Sequence, residues 1–271
     1  MAEVRAGDVL LQYEETGEGE PLVLVHGSWN DHRSWGPAVD ADLKASFRVV
    51  AYDRRGHGRS ERVPGPGTRR QDEDDLAALI EVLGPAPANV AANSFGASIT
   101  AGLAARRPEL FRRIVLHEPP LAGLVLDDPA AVAEMRTVTA AVEEAKRLVR
   151  EGEDAAGAKV FVERIALGPG AWEAMPEPLR DTFVTHAQTW LDEQDDPDWA
   201  ALDVHGLAAC TAPVLLSSGT ESPAWFGAVL DRLAAALPRA QRNTFRGAGH
   251  IPHVTHPREY AATVTAFLRG T

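Results

Sequence analysis

Short apolar runs alternate with amphipathic segments along most of the chain. The runs are rich in Val, Leu and Ile, and several of them are almost continuously apolar. Runs of this kind are typical of strands buried on both faces of a parallel sheet. They occupy residues 9–13, 22–25, 48–52, 89–93, 113–117, 213–219 and 243–245. The alternation predicts an α/β fold with a mostly parallel central sheet flanked by helices.

A helix with a clear start lies between two of these runs. Thr68 and Gln71 have the spacing of a capping box, in which two side chains satisfy free backbone N–H groups at the helix start. An acidic first turn follows, and Leu76 and Leu79 belong to one apolar stripe. The pattern predicts an amphipathic helix that begins after Thr68 and ends near Gly84.

The strand pattern disappears between about residue 119 and residue 207. Three helical stripes replace it, around residues 132–149, 160–165 and 179–191, and glycine and proline residues separate them. We therefore expect an all-helical insertion at residues 119–207, within an α/β core formed by residues 1–118 and 208–271.

The composition limits the classes of function. The chain has 271 residues, 45% of them hydrophobic, which is enough for one α/β domain with a lid. A formal net charge of −12 argues against binding to nucleic acid or to anionic membrane surfaces. The single cysteine, Cys210, leaves no disulfide within the chain, and no leader-like or membrane-spanning run is evident. We expect a cytoplasmic protein without nucleic-acid or membrane partners.

The segment around Ser94 carries the strongest chemical signal. A β-type run ends at Ala92-Asn93-Ser94-Phe95-Gly96, and a helix-forming run follows. The small Ala92 and Gly96 suit a sharp strand-to-helix turn, because larger groups two residues on either side of the serine would clash. Such a turn, a nucleophile elbow, exposes a serine hydroxyl at its tip. The segment therefore predicts a serine nucleophile.

Together with three other motifs, this segment resembles the α/β-hydrolase family over nearly the whole chain. His26-Gly27 follows a strand, an Asp-x-Arg-Gly-x-Gly-x-Ser motif covers residues 53–60, and Gly249-His250 lies near the end of the sequence. The resemblance implies an α/β-hydrolase fold in which the helical insertion is a cap. It also implies a catalytic triad in the order serine, acid, histidine.

The resemblance implies that Ser94 is the nucleophile and that His250 is its general base. A serine hydroxyl is a poor nucleophile near neutral pH, and a neutral imidazole supplies the base that it needs. His253 and His256 are alternatives to His250, although the Gly-rich loop before His250 favours it. No metal is expected, because no carboxylate or cysteine is spaced near these histidines for a zinc site.

The loop after His26-Gly27 is expected to contribute to the oxyanion hole and to the substrate pocket. The oxyanion donors are the backbone N–H groups of Phe95 and Ser28, with Trp29 as the alternative to Ser28. Substrate contacts are expected from this loop and from the cap, at Trp29, His32, Trp35, His186 and Trp190.

The acid of the triad departs from the usual pattern of the family. The position that commonly carries aspartate, three residues after Gly219, holds Ser222, and Glu221 lies one residue before it. Glu118 is the second candidate, because it directly follows a strand, where some family members carry their acid. We favour Glu118 over Glu221.

The predicted function is a serine hydrolase that cleaves a small ester or lactone through an acyl-enzyme on Ser94. Its partner is a small-molecule substrate, and it needs no metal or organic cofactor. A serine at this position argues against epoxide hydrolase and haloalkane dehalogenase chemistry, which uses a carboxylate nucleophile in this fold. The alternatives are carbon–carbon bond hydrolysis, which Asn93 favours, acyl transfer, and ligand binding without turnover.

Overall fold

An eight-stranded sheet forms the centre of the computed structural model, which describes residues 2–63, 65, 67–84 and 86–270. The strands are β1 (Ala2–Ala6), β2 (Val9–Thr16), β3 (Pro21–Val25), β4 (Arg48–Tyr52), β5 (Ala88–Asn93), β6 (Phe111–His117), β7 (Val214–Gly219) and β8 (Ala240–Phe245). Their order is β1-β2-β4-β3-β5-β6-β7-β8. The pairings of β2 with β1 and with β4 are antiparallel, and the remaining pairings are parallel. The predicted fold class is therefore confirmed.

Strand β1 is the strand that the sequence pattern did not reveal. It covers Ala2–Ala6 and pairs only with β2, at the edge of the sheet. Its sequence contains two charged residues, and only Val4 and Ala6 are buried. A strand with so few apolar positions has too weak an alternation to be recognised without its partner.

Helices cover both faces of the sheet. They are α1 (Gly36–Ala38), α2 (Lys44–Ser46), α3 (Arg69–Leu83), α4 (Phe95–Arg106), α5 (Pro129–Arg150), α6 (Asp154–Phe161), α7 (Ala171–Ala174), α8 (Glu177–Thr185), α9 (Ala187–Asp195), α10 (Trp225–Ala236), α11 (Pro252–Thr255) and α12 (Pro257–Arg269). Short 3-10 helices cover His32–Trp35, Pro108–Leu110, Ala122–Val125 and Gly206–Ala209, and π-helical turns cover Val39–Leu43 and Val162–Ala166. Thr68 and Gln71 form the capping box predicted for α3.

The alternation of side chains along the central strands divides the core between the two faces. Val23 and Val25 of β3 face one side, where α3, α4 and α10 contribute the packed side chains. Leu22 and Leu24 face the other side, where Tyr260 and its neighbours on α12 pack. Because both faces are covered, the central strands are apolar at nearly every position.

Residues 118–213, all of which the structure describes, contain helices and no strand. Helices α5 to α9 lie in this helical insertion and enclose a third cluster of buried side chains around Trp190 and Phe183. The division into a core (1–118 and 208–271) and a cap (119–207) stays a prediction. Among the described helices, none is long and apolar enough to cross a membrane.

Candidate active site

The central strands β5, β6 and β7 end side by side at one edge of the sheet. Asn93 of β5 is in register with His117 of β6, and His117 is in register with Ser217 of β7. The residues that follow β5 and β6 are Ser94 and Glu118. The parallel register therefore brings a serine and a carboxylate to neighbouring positions at the carboxyl edge of the sheet, where ligands bind in open α/β sheets.

Ser94 occupies a strained turn between β5 and α4. Its φ of 54° and ψ of −127° lie outside the regions that residues with a side chain usually adopt. Its N–H donates to the His117 carbonyl (2.9 Å), and its own carbonyl accepts from Ala97 N–H (2.8 Å). The turn is thus fixed by a neighbouring strand on one side and by the start of α4 on the other, as expected for a strained functional residue.

Two glycines allow the Ser94 turn and the loop after β3 to approach each other closely. A Cβ on Gly96 would lie 2.4 Å from the Val25 carbonyl oxygen, and a Cβ on Gly27 would lie 2.9 Å from the Ser94 Cβ. A larger residue at either position would push the segments apart. The sequence therefore brings the backbone around Ser28 next to the Ser94 turn, as the predicted oxyanion hole requires.

Glu118 joins His250 directly. The His250 Nδ1–H donates to Glu118 Oε2 at 2.7 Å, and the Gly219 N–H donates to Glu118 Oε1 at 2.8 Å. Glu118 is completely buried and has a φ of 45°, a conformation that residues with a side chain rarely adopt. Both carboxylate oxygens are thus occupied by N–H donors, and the strained backbone is held in place between β6 and β7.

These contacts determine the charge of Glu118. Burial favours the neutral form of Glu118. The hydrogen bond from His250 and the electrostatic attraction of His250 and His117 outweigh burial, and they lower the pKa of Glu118 to about 2. The carboxylate is therefore ionised near neutral pH and can only accept hydrogen bonds. It fixes the proton of His250 on Nδ1, which leaves Nε2 free to accept a proton.

The backbone and the ring of His250 are held by two further contacts. The Asn93 Nδ2–H donates to the His250 carbonyl at 2.9 Å. The ring stacks on Phe226, with a distance of 5.1 Å between ring centroids and an angle of 24° between the planes. The side chain of His250 is 17% exposed, so it lies at the boundary between the interior and solvent. Asn93, which directly precedes Ser94, thus links the serine turn to the histidine loop.

The other candidates for the acid and the base lie elsewhere. Glu221 is exposed, and its Oε1 accepts a hydrogen bond from Thr220 Oγ1 at 3.1 Å. His253 is buried, and its ring packs on Trp35 with 4.3 Å between the centroids. The Nδ1 of His256 lies 2.8 Å from Thr255 Oγ1. None of these three side chains takes part in the hydrogen bond between Glu118 and His250.

Three of the residues predicted to contact substrate lie in the interior of the helical insertion or against it. Trp29 is fully buried although it belongs to the loop after β3, and its ring lies 4.8 Å from that of Trp190 and 5.0 Å from that of Phe161. His186 Nε2 accepts a hydrogen bond from the Gly58 N–H at 2.9 Å. These side chains connect the insertion to the core, and their contact with substrate stays a prediction.

His32 and Trp35, the other two predicted pocket residues, are also buried. The N–H and Nδ1 of His32 lie 2.9 and 2.7 Å from Asp53 Oδ1, and Trp35 packs on His253. Asp31, His32 and Asp53 are a group whose side chains could ligate a metal ion. Their acceptors are already used within the protein, because Asp31 also pairs with Arg33 at 2.6 Å. These contacts are those of a loop held in place by its own polar side chains.

Glu193, on α9 in the helical insertion, is a buried polar residue that was not among those predicted from the sequence. The Ser28 hydroxyl donates to Glu193 Oε2 at 2.5 Å, and Arg54 Nη2 donates to Glu193 Oε1 at 2.5 Å. Burial raises the pKa of Glu193, and the charge of Arg54 opposes that rise. Its spacing could have indicated its burial, because Glu193 lies three residues after Trp190 and therefore on the same apolar face of the helix.

Some curated relatives align with only part of this chain, and others align with nearly all of it. One relative is the (E)-2-((N-methylformamido)methylene)succinate hydrolase of Acinetobacter baylyi, 35% identical over 104 residues. That alignment spans 38% of this chain and only 39% of the relative's length. Another is a 2-hydroxymuconate semialdehyde hydrolase from a Pseudomonas species, 28% identical over 285 aligned positions that cover 98% of this chain and 93% of that protein.

The fold has well-matched solved counterparts. An alpha/beta hydrolase from Sphaerobacter thermophilus superposes with a TM-score of 0.79 and 25% sequence identity, over 98% of this chain and 99% of that one. A sequence model of the alpha/beta hydrolase family matches residues 22–263. The match covers most of the chain, including the Ser94 turn, Glu118 and His250. The chain therefore belongs to the alpha/beta hydrolase family.

Proposed function

We propose that the protein is a serine hydrolase that cleaves a small ester or lactone, with Ser94 as nucleophile, His250 as general base and Glu118 as the acid of the triad. The observation that carries the proposal is the 2.7 Å hydrogen bond between His250 Nδ1 and the buried, ionised Glu118. A histidine held in this way presents Nε2 as a base, which is the group that an elbow serine needs.

The proposed reaction has two stages. His250 Nε2 takes the proton of the Ser94 hydroxyl while its oxygen attacks the substrate carbonyl, and Glu118 stabilises the resulting imidazolium. The backbone N–H groups of Phe95 and Ser28 bind the oxyanion. Protonated His250 then gives its proton to the leaving alcohol, and an acyl group remains on Ser94. Water, activated by the same imidazole, releases the acid and restores the serine.

The experiment that tests this proposal combines turnover with labelling of the nucleophile. Wild-type protein is expected to hydrolyse p-nitrophenyl butyrate and to react with a fluorophosphonate probe at one site. Ser94→Ala should lower kcat/KM by at least about 10⁴-fold, because no other group supplies the attacking oxygen. Peptide mapping by mass spectrometry identifies the labelled residue.

Ser98→Ala is the matched control, because Ser98 is a buried serine one turn further along α4. It should keep both turnover and labelling. A probe adduct on a residue other than Ser94, or a Ser94→Ala protein that retains substantial turnover, contradicts the proposal. A folded wild-type protein that is neither labelled nor active, yet binds small ligands, would favour ligand binding without turnover.

Carbon–carbon bond hydrolysis is the second candidate. It is supported by the similarity to a 2-hydroxymuconate semialdehyde hydrolase along nearly the whole chain, and it would use the same serine, histidine and acid. A panel of short esters, lactones and vinylogous diketones separates the two activities. A kcat/KM for a vinylogous diketone well above that for every ester and lactone would replace the ester or lactone assignment.

A further inference from the structure

The buried carboxylate of Glu193 connects the helical insertion to the loop after β3, which carries the proposed oxyanion donor. We propose that Glu193 is a positioning residue, through which the insertion fixes the orientation of the Gly27–Ser28 peptide. This inference rests on the proposed function, because it assigns a role within the same site.

Glu193 has one partner on each of two core loops. Its Oε2 accepts from the Ser28 hydroxyl at 2.5 Å, and its Oε1 accepts from Arg54 Nη2 at 2.5 Å. The side chain of Arg54 is completely buried, and that of Glu193 is 6% exposed. Charge-assisted hydrogen bonds to a buried carboxylate hold their partners firmly. The carboxylate therefore restrains the Ser28 side chain and the Arg54 guanidinium together.

Arg54 transmits this restraint to the backbone. The same Nη2 lies 3.3 Å from the Gly27 carbonyl oxygen, which also lies 2.8 Å from His26 Nδ1. That carbonyl belongs to the same planar peptide unit as the Ser28 N–H, and in a trans peptide the two groups point in opposite directions. Fixing the Gly27 carbonyl therefore fixes the direction of the Ser28 N–H, the proposed oxyanion donor.

Trp29, the next residue of the same loop, is also held by the insertion. Its φ of 63° is unfavourable for a residue with a large side chain. Its ring is nevertheless fully buried and packs against Trp190 and Phe161 of the insertion. Strain of this kind costs about 1–3 kcal/mol and persists only where the surroundings hold the residue. The insertion thus restrains Ser28 through Glu193 and Trp29 through aromatic packing.

Asp192 provides a matched control on the same helix. It precedes Glu193 and also forms an ion pair between the insertion and the core, with 2.9 Å between its Oδ2 and Arg62 Nη2. That pair is partly exposed, and Arg62 is not among the contacts of the Gly27–Ser28 peptide. Asp192→Asn therefore removes a carboxylate between the insertion and the core without touching the proposed oxyanion loop.

The test measures kcat, KM and the affinity for an aryl trifluoromethyl ketone, which forms an oxyanion on the serine. Glu193→Gln and Ser28→Ala should each lower kcat about 10–100-fold with KM within about 3-fold, and should weaken the inhibitor by the same factor. The double variant should lose little more than either single variant. Asp192→Asn should stay within about 3-fold of wild type.

The inference is overturned if Ser28→Ala keeps wild-type kcat and inhibitor affinity, or if Glu193→Gln changes them no more than Asp192→Asn does. If Glu193→Gln does not fold, Ser28→Ala decides the outcome, because it changes no buried charge. A wild-type protein without turnover or Ser94 labelling contradicts the proposed function, and this inference with it. An active wild type whose Ser94→Ala variant is dead, but whose Ser28→Ala variant is normal, contradicts this inference alone.

Discussion

Two buried glutamates at opposite sides of the Ser94 turn behave differently. Glu118 lies at the edge of the sheet, where a histidine N–H and a backbone N–H lower its pKa to about 2. Glu193 lies on a helix of the insertion, where burial raises its pKa although Arg54 lies 2.5 Å away. Each carboxylate accepts two hydrogen bonds, so the difference in pKa lies in the balance: the contacts of Glu118 outweigh its burial, whereas the burial of Glu193 outweighs its contacts.

The two carboxylates also differ in what holds them. The backbone of Glu118 is fixed by rigid parallel strands, so its position depends on the core alone. Glu193 is placed by packing between the insertion and the core, through the aromatic cluster around Trp29 and Trp190. The position of Glu118 thus depends on the strands of the core, whereas that of Glu193 depends on the packing of the insertion against the core.

Of the substitutions that test this comparison, Glu118→Gln is expected to have the largest effect on kcat. Glu118→Gln leaves the shape of the side chain unchanged but removes the charge that fixes the His250 tautomer and stabilises the imidazolium. We expect kcat for p-nitrophenyl butyrate to fall by about 10³–10⁴-fold, as when the acid of such a triad is replaced by its amide. Steady-state kinetics on purified protein measures the change.

Glu221→Gln is the control for this substitution, because Glu221 was the alternative acid and is exposed. Its kcat should stay within about 2-fold of wild type, since surface substitutions away from the reacting groups have small effects. If Glu221→Gln cripples the protein and Glu118→Gln does not, the assignment of the acid is wrong.

A smaller effect, of opposite sign for the two glutamates, is expected in the pH dependence of stability. The pKa of Glu118 is about 2 in the folded protein and 4.5 in a model peptide. Its ionisation therefore stabilises the fold above pH 4.5, by about 3 kcal/mol, and this contribution is lost as the pH falls through 2. The raised pKa of Glu193 gives the reverse, since its protonation on acidification favours the fold.

Urea unfolding at stepped pH values measures both contributions. The free energy of unfolding of wild type minus that of Glu118→Gln should shrink on acidification from pH 5, whereas the difference between wild type and Glu193→Gln should grow. The same sign of pH dependence for the two buried glutamates would refute the contrast between them.

The same contrast explains what could be predicted from the sequence. Ser94 and Glu118 directly follow β5 and β6, and His250 lies five residues after the end of β8, so the ends of the apolar runs locate them at one edge of the sheet. Glu193 pairs with Ser28 and Arg54, which lie 165 and 139 residues earlier in the chain. No local pattern encodes contacts over such separations, and only the docking of the insertion creates them.

Trp29 is a second residue whose contacts with the insertion could not be predicted from the sequence. Its position in a polar loop after β3 did not indicate that the structure buries its ring completely against the insertion. The positive φ that turns the ring inwards is a property of the folded loop, and the sequence contains no glycine at that position to reveal it. The hydrophobic pattern thus predicts the elements well, and the contacts between the insertion and the core poorly.

The most direct test of the central claim is the proton NMR signal of the His250 Nδ1–H. A short hydrogen bond to an ionised, buried Glu118 should shift this proton far downfield of the backbone amides and protect it from exchange. The signal should be present in wild type and in Glu221→Gln, and absent or moved upfield in Glu118→Gln and lost in His250→Ala. A downfield signal that persists in Glu118→Gln and disappears in Glu221→Gln would contradict the account.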